Sequence, residues 1–322
     1  MFEVRQIVVT IVLGAASSLV VMSPALAADA AAPAGKAKDA KALAAKAPAA
    51  ASVPQVPTPE VPNLTAAQIV EKHVAARGGA QAWKTVKTMQ LSGKLDAGRG
   101  DNIARARKLV NAGKKASGKG TNAEIAAASG ANEPEKEIRL PFTLDLKRPN
   151  LTRLEVQFDG KTAVQVYDGS HGWKLRPFLN RNDVEPFTAD EVKTEASRGD
   201  LDGPLIDYAS RGTKVELDGV EMVEGQPAYK LKVTPKSGAA KHVWIDAKTF
   251  LDVKMDGFPK HMDGKMHPVY VYQRDFRAVQ GVMIPFVMET AVDGYPETHK
   301  LLIEKAAINP QLDGSLFSKP HA

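Results

Sequence analysis

The chain has 322 residues, no cysteine and a formal net charge of +6. Without cysteine it can have neither disulfides nor a lipidated N-terminal cysteine, so stability must come from the core of a sizeable domain. The charge is also unevenly spread, which bears on partners. Residues 28–62 hold Lys36, Lys38, Lys41 and Lys46 against Asp29, Asp39 and Glu60, and residues 97–134 hold seven Arg and Lys (Arg99, Arg105, Arg107, Lys108, Lys114, Lys115, Lys119) against Asp101, Glu124 and Glu133. Those tracts carry about +1 and about +4, leaving the remainder near neutral, so a basic nucleic-acid-binding face is not expected.

The first element is an export signal. Met1 to Gln6 carries Arg5, residues 7–21 are apolar, and Ser23-Pro24-Ala25-Leu26-Ala27 ends in an A-x-A site. An apolar run of about fifteen residues is short of the roughly twenty needed to span a bilayer, so cleavage after Ala27 and a periplasmic address are expected. Residues 28–62 are Ala, Pro and Lys with scarcely a large apolar side chain, which predicts a disordered tether.

Residues 63–322 form the expected domain. Thr65 and Gln68 make a capping-box pair that starts a helix running to about Arg77, with Ile69, Val70, His73 and Val74 on its buried stripe and Gly78-Gly79 as the stop. A short second turn over Ala80 to Lys84 delivers Trp83. Val86 to Leu95 is a strand with Met89, Leu91 and Leu95 on one face. The tract 97–134, rich in Gly, Ala, Asn, Lys and Arg, then reads as a low-complexity solvated loop inserted in the domain. Beyond it Ile138, Leu140, Phe142, Leu144 and Leu146 alternate with polar residues, Leu154, Val156 and Phe158 form the next strand, and Asp159-Gly160 and Asp168-Gly169 are hairpin turns.

Helical character returns between Thr188 and Ser210, broken at Gly203-Pro204. Thr213 to Val223 leads into a run of strands: 228–234, 242–246, 250–255, 269–276 and 282–288, followed by Glu297 to Ala307. The tally is ten to twelve antiparallel strands without crossover units, so a parallel sheet is excluded. The expected class is mainly β (α+β): an incomplete antiparallel barrel with an N-terminal helix and a central helical lid, enclosing an apolar space.

Several short motifs, in this order, resemble the LolA/LolB-like outer-membrane lipoprotein-sorting family. They are Ile69-Val70 with Gly78-Gly79 and Trp83, Tyr167-Asp168-Gly169 with Gly172-Trp173, and Trp244-Ile245-Asp246 with Thr249-Phe250-Leu251. Asp275-Phe276-Arg277 with Gly281 and Ile284-Pro285, and Leu316-Phe317 with Pro320, complete the set. The resemblance implies a half-barrel of about eleven strands that holds acyl chains under helical lids, with neither chemistry nor cofactor. The implied cargo is lipoprotein acyl chains or another lipid, passed from an inner-membrane donor complex to an outer-membrane acceptor by a monomeric carrier. A second role, from another class, is a lipid-sensing regulatory or envelope-stress module acting through a protein partner.

The residues expected to line the apolar space are Trp83, Leu91, Phe142, Leu144, Val156, Phe158, Trp173, Ile206, Tyr208 and Trp244. Large aromatics on strands also serve as plain core, and Trp244 alternates against Val243 and Ile245, so one of these sets faces away. His261 and His267 lie beside Met262, Met266, Asp256 and Asp263, but their spacing is not that of a metal site, and none is expected. Ser170 and His171 are adjacent on a strand, which turns their side chains apart, and there is no G-x-S-x-G or H-E-x-x-H. An enzyme is not expected.

Overall fold

The computed structural model describes residues 61–99, 137–177, 181–198, 200–236 and 238–321. The expected signal and nearly all of the 28–62 tether and of the 97–134 insert lie outside them, while Val61 and Pro62 of the tether pack on the domain. Strand β1 nevertheless continues through Arg99 and β2 begins at Glu137, so the first residues of the expected insert belong to the sheet.

Helix α1 (Ala66–Ala76) starts as its sequence dictates. The Thr65 hydroxyl accepts the Gln68 N–H at 3.3 Å, while the Gln68 side chain accepts the Thr65 N–H at 2.9 Å. Each bond satisfies a backbone donor that the first turn leaves orphaned. The helix ends at Gly78, whose φ of +105° suits glycine alone. A Cβ there would also stand 2.1 Å from the Gly281 carbonyl oxygen, so this glycine lets the helix end sit against the sheet. Helix α2 (Ala80–Thr85) follows at once.

Thirteen strands then form one antiparallel sheet. They are β1 (Thr88–Arg99), β2 (Glu137–Lys147), β3 (Leu151–Phe158), β4 (Lys161–Tyr167), β5 (Gly172–Arg176) and β6 (Arg181–Pro186), then β7 (Lys214–Val223), β8 (Gln226–Thr234), β9 (Lys241–Asp246) and β10 (Asp252–Asp256), and last β13 (Val269–Val279), β14 (Val282–Val292) and β15 (Thr298–Ile308). Helix α3 (Ala189–Arg198) lies between β6 and β7, and β11 (Lys260–Met262) and β12 (Lys265–His267) make a separate two-stranded hairpin. The order across the sheet is β6-β5-β4-β3-β2-β1-β15-β14-β13-β10-β9-β8-β7. The first and last strands therefore meet in the middle, and β6 and β7 are the free edges. The sheet stays open, as expected of an incomplete barrel.

Two strand units were not expected from the sequence. Strand β6 has Val184 as its single large aliphatic side chain, so it shows no alternation. The β11–β12 hairpin turns at Asp263-Gly264 within what reads as a Gly/Pro/His loop.

One face of the sheet, here the inner face, is covered by helices and by residues 201–212, which are turns and not the helix expected to continue to Ser210. Ile69 and Val70 of α1, with Leu205, pack on Tyr229, Leu231, Val233, Val243 and Ile245. Beside them Trp83 of α2, Leu201 and Ile206 pack on β1, β2, β3, β14 and β15. On the reverse face the C-terminal segment with Leu312, Leu316 and Phe317 covers Val164 and Val166.

Candidate functional site

The inner face carries one apolar surface across neighbouring strands. Because paired residues share a face, the register Leu144 to Leu154 and Leu91, and Phe142 to Val156, lines these side chains up in rows. Leu91, Phe142, Leu144 and Val156 are at most 5% exposed and join Leu95, Leu140, Phe286 and Ile303 in a single cluster. Trp83 and Ile206 enter the same cluster from the cover, and Phe158 packs at its border. Tyr208 lies instead over the neighbouring cluster, with Leu205. These eight expected positions thus lie on the inner face or on the cover packed against it.

Trp173 and Trp244 do not. On β5 the inner positions fall to Gly172 and Lys174, and a Cβ on Gly172 would stand 1.8 Å from the Phe187 ring. Trp173 is left on the reverse face beside Leu175 and Phe317. On β9, Val243 and Ile245 take the inner positions, and Trp244 packs with Val223, Ala228, Tyr270 and Tyr272 on the reverse. Its indole N–H donates to Glu221 at 2.8 Å.

The cover is fastened largely by ionic contacts. Arg148, in the turn after β2, donates to the Val86 carbonyl at 2.7 Å and the Trp83 carbonyl at 3.1 Å, and pairs with both oxygens of Asp202. It therefore ties α2 to the segment 200–212. Arg211 closes that segment on itself, donating to Asp200 at 2.7 Å and to the Ile206 carbonyl at 2.8 Å. Burial holds the Asp200 carboxyl above its usual range, against the pull of Arg211.

Helix α3 has its own fastening over the β3–β5 end. Lys174 reaches both Glu191 oxygens at 2.6 and 2.8 Å, with both side chains less than a tenth exposed. Thr152 donates to Glu195 at 3.1 Å. Sequence spacing gives no sign of these pairs, which join residues 17 and 43 positions apart. The Thr188–Glu191 capping pair is the one visible hint that Glu191 is held.

The reverse face carries a shallow groove of about 320 Å³, lined by Met222, Val223, Lys254, Tyr272, Arg274 and Glu289 among others. The Lys254 ammonium stands 4.3 Å from the Trp244 ring centre and 4.0 Å from that of Tyr270. Burial lowers its pKa. None of the ten expected lining positions borders this groove.

His261 and His267 sit at adjacent positions of different cross-strand pairs in the β11–β12 hairpin, so they point to opposite faces. Ser170 and His171 donate their backbone N–H groups to Asp168, as an ordinary turn. Among the described residues no helix is long and apolar enough to cross a membrane.

No protein-family model matches the chain, and no curated protein matches it in sequence. Solved structures do match. A LolA superfamily protein from Nitrosomonas europaea is aligned over 80% of this chain and 99% of its own, at 13% identity and a TM-score of 0.46. A putative outer membrane lipoprotein-sorting protein domain from Vibrio parahaemolyticus covers 78% of this chain and 95% of its own, at 10% identity and a TM-score of 0.45. A DUF1329 family protein from Desulfovibrio piger covers 79% and 97%, at 12% identity and a TM-score of 0.45. By these comparisons the chain is similar to LolA-like proteins, the family that its motifs resemble.

Proposed function

We propose that this protein is a periplasmic carrier that shields an acyl chain between the inner face of its sheet and the cover of helices and turns. The observation that carries this reading is the apolar stretch of the inner face over β1, β2, β3, β14 and β15, capped by a segment that contributes only Leu201, Leu205 and Ile206 as buried aliphatic side chains. Burying each of these contributes about 1.5–3 kcal/mol. An acyl chain of roughly ten methylenes contributes about 8 kcal/mol by the same measure, enough to take their place. Binding is then an exchange of like for like: the cover lifts, hydrocarbon fills the space, and no bond is made or broken. Lipoprotein acyl chains or another lipid are the cargo, and delivery goes to a partner that binds the same chains more tightly. An inner-membrane donor and an outer-membrane acceptor fit that role.

Native mass spectrometry of the mature protein, purified gently from its own periplasm and followed by lipid extraction, tests this. A stoichiometric lipid or lipoprotein is expected. An empty protein that also takes up no fluorescent fatty acid would overturn the carrier reading. Phe142→Glu, at a position 3% exposed in the middle of the apolar face, is expected to abolish uptake. Circular dichroism separates that loss from unfolding, and a folded variant with unchanged uptake would remove Phe142 from the lining.

A further inference from the structure

One end of the inner face carries nitrogens that the fold does not use. On β15, His299 pairs with Thr290 and Leu301 with Met288, so His299 shares the face of Leu301 and Met288. Those two side chains border the main apolar cluster, where they are only partly buried. The His299 Nδ1 is buried and has no hydrogen-bond partner. Lys260, from the β11–β12 hairpin, lies near enough for its charge to lower the His299 pKa, after burial itself. Lys260 is half-buried, and burial lowers its own pKa. Among the described residues its ammonium has neither an acceptor nor a carboxylate partner. His267 is the cross-strand neighbour of Lys260 and shares its face of the hairpin. Its Nε2 is also buried without a partner, and its ring is held edge-on to Tyr295 at 5.2 Å.

We propose that Lys260, His299 and His267 form a headgroup site that takes the anionic head, carboxylate or phosphate, of an acyl amphiphile whose chain lies along Leu301 and Met288. This rests on the acyl-carrier reading, and it names the chemical class of the ligand. Buried polar groups in native folds are paired as a rule, so these two unpartnered imidazole nitrogens and the unpaired ammonium call for an acceptor. An anion accepts from all three when each imidazole carries its proton on the unpartnered nitrogen. Asp96 and Glu297 also bear on His299, raising its pKa, but neither hydrogen-bonds its Nδ1.

The test is calorimetric titration of the full mature chain with laurate, dodecyl phosphate, dodecanol and inorganic phosphate. A charge-assisted hydrogen bond predicts at least about tenfold tighter binding of laurate or dodecyl phosphate than of dodecanol. Lys260→Gln and His299→Gln should each lower that ratio several-fold, and Lys260→Arg should preserve it. Equal binding of all three amphiphiles to the wild-type protein would overturn the headgroup site and leave the carrier reading standing. Binding of none would overturn both. Inorganic phosphate that binds without competing with laurate would overturn the lipid assignment, because the nitrogens would then serve a free anion.

Discussion

His73 shows how a single side chain couples the cover to pH. It sits on the buried stripe of α1, 3% exposed, with its Nδ1 2.9 Å from the Phe250 carbonyl oxygen. A carbonyl can only accept, so Nδ1 carries the proton and the ring has a donor in place. Burial pushes the His73 pKa below its ordinary 6.5, with nearby Arg77 adding to the effect and Asp252 and the Phe250 bond opposing it. The folded state therefore binds this proton less readily than the unfolded chain. Its contribution to stability is complete above 6.5 and is lost as the pH falls below that value towards the folded pKa. His299 is lowered by burial as well and acts in the same direction. Urea unfolding between about pH 7.5 and 5.5 should show stability falling with pH, and His73→Gln should flatten part of that slope. A slope unchanged in the variant would remove His73 from the account. At this scale the sequence was informative about pattern and silent about facing. The alternation around Trp244 showed that Val243 and Ile245 oppose it, but only packing under α1 decides which set looks inward.

Among the elements, α3 depends most on one buried contact. It spans Ala189–Arg198, with Val192 as its one large aliphatic residue, so no broad apolar stripe holds it down. What docks it is Lys174 against Glu191, where Glu191 also accepts the Thr188 N–H at 2.6 Å. Lys174→Met leaves that carboxylate buried and unpaired, at a cost of about 3–5 kcal/mol. The double variant with Glu191→Leu removes both charges and should recover most of that loss, because an apolar pair of similar volume is often neutral or better. Urea denaturation of the three proteins decides it; a double variant as unstable as the single one would show that the carboxylate serves the Thr188 cap more than the ion pair. The elements themselves were largely legible. The alternation over 138–146, the Asp-Gly turns and the Thr65–Gln68 cap each specify local structure through short-range chemistry, and β2, the β3–β4 hairpin and α1 appear where those signals stand. Strand β6 escaped because Arg181-Asn182-Asp183-Val184-Glu185-Pro186 is an edge strand with little to bury, so pairing with β5 rather than apolar pattern makes it a strand.

At the scale of the whole molecule, an open thirteen-stranded sheet has two edges whose backbone groups could pair with another copy. Both edges are made unattractive. Strand β6 ends in Pro186 and carries Asp183 and Glu185, while β7 presents Lys214, Glu216, Asp218 and Glu221 along ten residues. The Lys214 and Glu216 side chains meet at 2.8 Å and are largely exposed, so neither contributes to the core. Their value lies in what they prevent. A second chain pairing with β7 would have to desolvate both charges, whereas an edge of β-branched apolar residues would welcome it. The wild-type protein is accordingly expected to run as a monomer in size-exclusion chromatography with light scattering. The double substitution Lys214→Val and Glu216→Val should shift it, in a concentration-dependent way, to dimers or larger species with little change in urea stability, since exposed charge pairs contribute only about 0–1 kcal/mol. If the variant remains monomeric at every concentration tried, the charges are not what keeps this edge free. The protein would then owe its solitary edge to some other feature of β7, and the Gly219 irregularity, where the β7–β8 register shifts between Leu217 and Val220, is the next place to cut.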